Sequence, residues 1–126
     1  MADLDACIDL IESSYEYMLA YAAQGRDNEA GGTGPSIRAT LENLSAALGD
    51  ITSYFDLDDY SEAMRPFFAF AGQDVVRARA AVNFALAAPN ISSQLVDNLN
   101  ASMHLRTLLT DLFLIDEALK AVKRGG

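Results

Sequence analysis

The chain has 126 residues, a formal net charge of −9 and a hydrophobic fraction of 51%. That length suits one domain, residues 1–126, and that hydrophobic content argues against intrinsic disorder. The negative charge disfavours contact with nucleic acid or an anionic membrane, and the lone Cys7 rules out an internal disulfide and a cysteine-based metal site.

The first predicted helix begins after Asp3 and continues to about Gln24. Gly25 can end it in the left-handed conformation, and residues 26–33 are then typical of a mobile loop. Tyr21 falls outside the apolar stripe and is expected to be exposed or at an interface, together with Tyr17. The stripe recurs at intervals of three and four residues and consists of Leu4, Ile8, Ile11, Tyr15, Met18 and Ala22.

The second predicted helix opens at Gly34-Pro35, since proline loses no hydrogen bond at the first helical position. Gly49 within it either allows a neighbouring backbone to approach closely or weakens the helix. A narrow packing seam with spacing 4-3-4-3-4 is formed by Ile37, Leu41, Leu44, Leu48, Ile51 and Phe55.

The third predicted helix starts at a capping box, with Asp59 as the cap and Glu62 reaching back to it. Pro66 comes too late for the first turn of such a helix, so we expect a kink or a break there. The main part then runs from Phe67 to about Ala87.

The last predicted helix runs from about Ser92 to Arg124. Asn98 and Asn100 weaken its first half, so that two shorter helices are an alternative. Short connections between amphipathic helices favour antiparallel neighbours. The sequence therefore predicts an all-α fold, an antiparallel up-down bundle of about four helices with the third kinked or broken at Pro66.

The third and fourth predicted helices carry more apolar surface than one bundle stripe requires. Either this pair of helices is central, or part of its surface contacts a second chain. We expect a homodimer, and the residues predicted for the partner contact are Phe70, Arg77, Phe84, Leu109 and Phe113.

Candidate chemistry is sparse. His104 is the only histidine, and the segment after it lacks the lysine and glycine that usually follow a phosphoryl-carrying histidine in helical bundles. Acidic residues at helical spacing on the first helix, Asp5, Asp9, Glu12 and Glu16, are typical of a solvated face rather than a metal site. We expect no enzymatic activity, no cofactor and no metal.

These features predict a non-enzymatic protein-interaction module, a small acidic adaptor, chaperone or regulator with a protein partner of unknown identity. The alternatives are a bundle that binds a small molecule in a pocket opened by Pro66, or a phosphotransfer bundle using His104. No basic stretch precedes an apolar run at the N-terminus, and charged residues interrupt the apolar stretches, so a cytoplasmic protein with no membrane span is expected.

Overall fold

The computed structural model describes residues 2–30, 34 and 36–125. The described chain is all-helical, as the sequence predicts, with five α-helices rather than about four and no strand among its residues. In chain order they are α1 (Ala2–Ala22), α2 (Ile37–Asp50), α3 (Pro66–Leu86), α4 (Ser93–Ala101) and α5 (His104–Gly125), with 3-10 turns at Ile51–Tyr54 and Leu57–Asp59.

The segment after α1 is more ordered than expected where it is described. Gly25 adopts the predicted left-handed conformation, with φ of +66°. The Ser93 amide donates to the Arg26 carbonyl and the Arg26 amide donates to Ser93 Oγ, both at 2.9 Å, and the Glu29 amide donates to Asn90 Oδ1 at 3.0 Å. Residues 26–30 are the described part of the predicted mobile loop. They are hydrogen-bonded to the start of α4 and to the segment just before it. Residues 31–33 lie outside the described ones.

Helix α2 begins at Ile37, where the hydroxyl of Ser36 caps it by accepting a hydrogen bond from the Ala39 amide. Pro35, the predicted first residue, lies outside the described residues. The seam is confirmed from Ile37 to Ile51, whose apolar members are at most 2% exposed, while Phe55 is half-buried. The atoms nearest to Gly49 belong to a side chain and not to a neighbouring backbone. The guanidinium of Arg79 lies over it instead, 2.8 Å from where a Cβ would stand.

Helix α3 differs from the expectation at its start. Proline occupies its first position, Pro66, and residues 61–65 form a hydrogen-bonded turn rather than helix. Asp59 belongs to the second 3-10 turn and does not cap α3. A kink inside a longer helix is therefore not confirmed, because proline at the first helical position leaves no intrahelical bond to lose.

The predicted last helix is divided into α4 and α5, the alternative that the asparagines suggested. Ser92 caps α4 through its hydroxyl, which accepts from the Leu95 amide. Met103, between the two helices, has φ of +69°, a left-handed conformation that is unfavourable for a residue with a Cβ.

The main core takes buried residues from all five helices, and α4 packs mainly against α1. The start of α2 contacts the end of α3, where Arg38 donates to the Leu86 carbonyl. Tyr21, expected to be exposed or at an interface, is fully buried. Its hydroxyl donates to the Ile91 carbonyl at 2.6 Å. A smaller cluster joins α3 to α5 and comprises Tyr60, Phe68, Ala71, Ile115 and Leu119.

Within the described residues, none of the helices has the length and apolar character needed to cross a membrane.

Candidate interaction surface

The outer face of α3 carries aromatic side chains in water. Phe70, Arg77 and Phe84 are spaced by seven residues, which places them on one side of the helix. Phe70 is 62% exposed and Phe84 is 78% exposed. The buried side of α3 consists of Phe68 near its start and then of small residues, namely Ala71, Val75, Ala78, Val82 and Ala85. After Phe68 the helix is thus packed through small side chains, while Phe70 and Phe84 are exposed.

The predicted contact residues of α5 do not join this face. Leu109 is only 4% exposed and belongs to the main core, because it lies four residues after Leu105 on the buried stripe. Including it among exposed contact residues was wrong. Phe113 is 43% exposed, but it lies on the same side of α5 as Lys120. That side is near α1, because Asp5 of α1 adds to the larger effect of Asp116 in raising the pKa of Lys120. An exposed apolar residue of α5 that does border α3 is Leu114, which is 57% exposed.

Two shallow apolar cavities flank α3 and α5. The first, of about 280 Å³, lies between the start of α3 and the later turns of α5. Phe67 and Leu114 line it on either side. The second, of about 250 Å³, lies between the end of α3 and α4, with Phe84 on one side, Leu95 and Leu99 on the other, and His104 at its edge. Phe84 of the exposed series therefore borders the second cavity, whereas Phe70 lines neither of the two.

Between the two cavities a pair of carboxyl groups bridges α3 and α5. Asp111 on α5 lies against Asp74 on α3, and its Oδ2 is enclosed with no hydrogen-bond donor within the described chain. Burial, followed by the hydrogen bond with Asp74 and the negative charge of Asp74, raises the pKa of Asp111 to about 7. Arg77 Nη1 lies 3.3 Å from Asp74 Oδ1. The pair can thus hold a proton near neutral pH.

Sequence reasoning missed this pair. Asp111 interrupts an apolar run between Leu109 and Leu112, and an acid inside a buried stripe is a signal of an unusual environment. Its partner Asp74 is 37 positions away, and no local pattern connects the two.

The other candidate groups fall into ordinary surroundings. His104 is half-buried at the rim of the second cavity. The four acids of α1 do not converge, and no cluster of three or more potential metal ligands occurs in the described part of the chain. Cys7 is buried and its Sγ donates to the Ala47 carbonyl at 3.4 Å. Burial, followed by the charge of Asp50, raises the pKa of this thiol, which lowers its reactivity.

No family model, no curated protein and no solved structure matches this chain.

Proposed function

We propose that the protein is a non-enzymatic interaction module that acts through the outer face of α3 and that its first partner is a second copy of itself. The observation that carries this proposal is the exposed series Phe70, Arg77 and Phe84. Large aromatic groups exposed to water are unfavourable, and two of them on one side of the same helix favour a contact surface there.

The series is symmetric about its centre, which favours a second copy over an unrelated partner. Phe70 and Phe84 each lie seven residues from Arg77. If two α3 helices cross antiparallel near Arg77, Phe70 of each copy meets Phe84 of the other. A two-fold contact requires such self-complementarity, because every residue pair occurs twice. Arg77 of one copy can also reach Asp74 of the opposite copy, which lies one helical turn from that copy's own Arg77.

The expected strength is moderate. Taking about 200 Å² for a phenylalanine side chain, Phe70 and Phe84 together expose about 280 Å² per copy. A specific interface needs about 600 Å² per partner, so the contact must extend over Leu114 and the mouths of the two cavities. The net charge of −9 opposes pairing but is screened beyond about 8 Å at physiological salt. These magnitudes support a dimer with micromolar affinity.

Sedimentation equilibrium at 150 mM salt tests the proposal. We expect the wild-type protein to be dimeric at tens of micromolar and the double variant Phe70→Ser/Phe84→Ser to be monomeric. Phe113→Ser is the matched control, because it removes an exposed phenylalanine from the other side of α5 and should leave the dimer intact. A wild-type monomer at 100 micromolar, or equal loss in the control, would contradict the proposal.

We also propose a helix arrangement and a cellular location for the protein. We propose that α1, α2, α3 and α5 form the antiparallel up-down bundle and that α4 is a short connecting helix. Support comes from proximity between opposite ends: Arg38 at the start of α2 donates to Leu86 at the end of α3, and Asp5 near the start of α1 interacts with Lys120 in the later part of α5. A buried free thiol at Cys7 supports a reducing, cytoplasmic location.

A small-molecule pocket is the second candidate, favoured by the apolar cavity of about 280 Å³ beside the start of α3. Its size is near the lower end for ligand sites. Saturable binding of an apolar fluorescent probe, abolished by Leu114→Arg in a protein that still folds, would support this candidate. Phosphoryl transfer through His104 is the least supported alternative, since the side chain borders an apolar cavity. Acid-labile phosphate on His104 would favour it.

A further inference from the structure

The carboxyl pair lies in the middle of the proposed contact face. Asp74 follows Phe70 by four residues and precedes Arg77 by three, so it is a neighbour of both on α3. Asp111 approaches it from α5, and its enclosed Oδ2 has no donor in the described chain. A group that changes charge at this point changes the electrostatics of the whole face.

Two carboxyl groups in contact can form a hydrogen bond only when one of them carries a proton. With one shared proton the trio of Asp74, Asp111 and Arg77 is neutral, because the remaining carboxylate is balanced by the guanidinium. Without that proton the trio carries one negative charge. A second copy would bury this charge beside its own equivalent, and burial of unpaired like charges is unfavourable.

We propose that the Asp74–Asp111 pair holds one shared proton and that release of this proton weakens the contact between two copies. This inference rests on the proposed self-association and adds its regulation. The dimer should therefore be tightest in mildly acidic solution and weaken as the pH rises through neutrality.

The charged groups around the pair are few. Helix α3 contributes Asp74 and Arg77, and the influences on Asp111 are burial and Asp74 alone, with none from charged residues of α1, α2 or α4 in the described chain. His104 precedes Asp111 by two helical turns on α5 and lies at the Phe84 end of the face. A histidine can also change charge between pH 5 and 8, so its contribution must be separated.

Sedimentation equilibrium from pH 6 to pH 8 at constant ionic strength measures the effect. We expect the wild-type dissociation constant to rise roughly tenfold over this range. Asp111→Asn keeps a donor toward Asp74 without a titrating proton, so its dimer should stay tight and independent of pH. His104→Gln and the surface control Asp9→Asn should keep the wild-type pH dependence.

Each other outcome is decisive. A wild-type dimer with a constant affinity, or one that tightens as pH rises, overturns the regulation and leaves the proposed function standing. The tightening result would favour ion pairing across the contact or a basic partner. Loss of the pH dependence in His104→Gln, with retention in Asp111→Asn, would assign the proton to His104. A wild-type monomer at every pH overturns both proposals. The carboxyl carbon of Asp111, followed by NMR, should titrate near pH 7, and a midpoint near pH 4 would overturn the shared proton independently of association.

Discussion

Both carboxylate oxygens of Glu29 accept hydrogen bonds from Arg38, Oε2 from Nε at 2.9 Å and Oε1 from Nη2 at 2.8 Å. The same arginine donates to the carbonyls of Leu86 and Ala88 at the end of α3, and Oε1 of Glu29 also accepts from the Ile91 amide. One ion pair therefore joins the segment after α1, the start of α2, the end of α3 and the approach to α4.

Removing the arginine should loosen this junction. Arg38→Ala leaves two helix-terminal carbonyls and one carboxylate without their donor, and we expect the melting temperature to fall by several degrees. Arg38→Lys should recover only part of the loss, because an ammonium group lacks the planar fork that matches a carboxylate. The matched control is Arg106→Ala, an exposed arginine of α5. Equal melting temperatures for both alanine variants would contradict the prediction.

The same pair predicts a dependence of stability on acid. The hydrogen bond from Arg38 holds the pKa of Glu29 below its ordinary value near 4.5, with burial opposing and the Ile91 amide assisting. A carboxyl whose pKa is lowered on folding stabilises the protein above its unfolded pKa and loses that contribution as the pH falls through its folded pKa. Urea unfolding between pH 2 and pH 6 should therefore show Glu29→Gln less stable than wild type at pH 6, with the two converging in acid. A constant difference would show that the charge is not involved.

Tyr21 has a prediction of its own because its hydroxyl is buried. Tyr21→Phe leaves the Ile91 carbonyl without its donor, and we expect a loss of about 1–2 kcal/mol in the free energy of unfolding. Tyr15→Phe, in a half-buried tyrosine of the same helix, should change stability by less than about 0.5 kcal/mol. Chemical denaturation of both variants measures the difference, and similar values would count against a role for the hydroxyl.

Met103 adopts a left-handed conformation with a side chain that is 46% exposed. Met103→Gly should therefore stabilise the protein by about 0.5–1 kcal/mol, since glycine removes the steric cost while little packing is lost. Gln94→Gly, at an exposed position inside α4, is the opposite control and should destabilise by about 1 kcal/mol. A loss of stability in Met103→Gly would indicate that packing of the methionine outweighs its strain.

The raised pKa of Asp111, about 7 in the folded protein, predicts the reverse pH dependence from that of Glu29. A carboxyl whose pKa rises on folding disfavours the folded state once it ionises. Its cost is absent below its ordinary value of 3.8, grows as the pH rises, and is complete above about 7. Asp111→Asn should match wild type near pH 4 and exceed it at pH 8 by about 1–2 kcal/mol, because solvent screens part of the penalty. Urea unfolding at both pH values measures this difference in the free energy of unfolding. A gain in stability of the variant that is larger at pH 4 than at pH 8 would contradict the prediction.

Local pattern was sufficient for some features and insufficient for others. The seam from Ile37 to Ile51 could be predicted because helical periodicity alone determines which side chains share a face. The start of α3 could not, since the Asp59 capping box and Pro66 are competing signals and only the packing of Tyr60 against Phe68 shows that the chain turns between them. Tyr21 was misplaced because its burial depends on a carbonyl 70 residues away.

The sequence by itself determined the all-helical class and the buried stripes of α1 and α2, since these follow from spacing within one helix. It left open whether Phe70 and Phe84 are core or surface. Only the tertiary structure decided which groups from different helices meet. In the folded chain Leu109 is buried, Phe113 lies outside the α3 face, and Asp74 and Asp111 form one enclosed contact. Burial and the neighbouring carboxyl raise the pKa of that aspartate, and neither influence exists until α3 and α5 pack together.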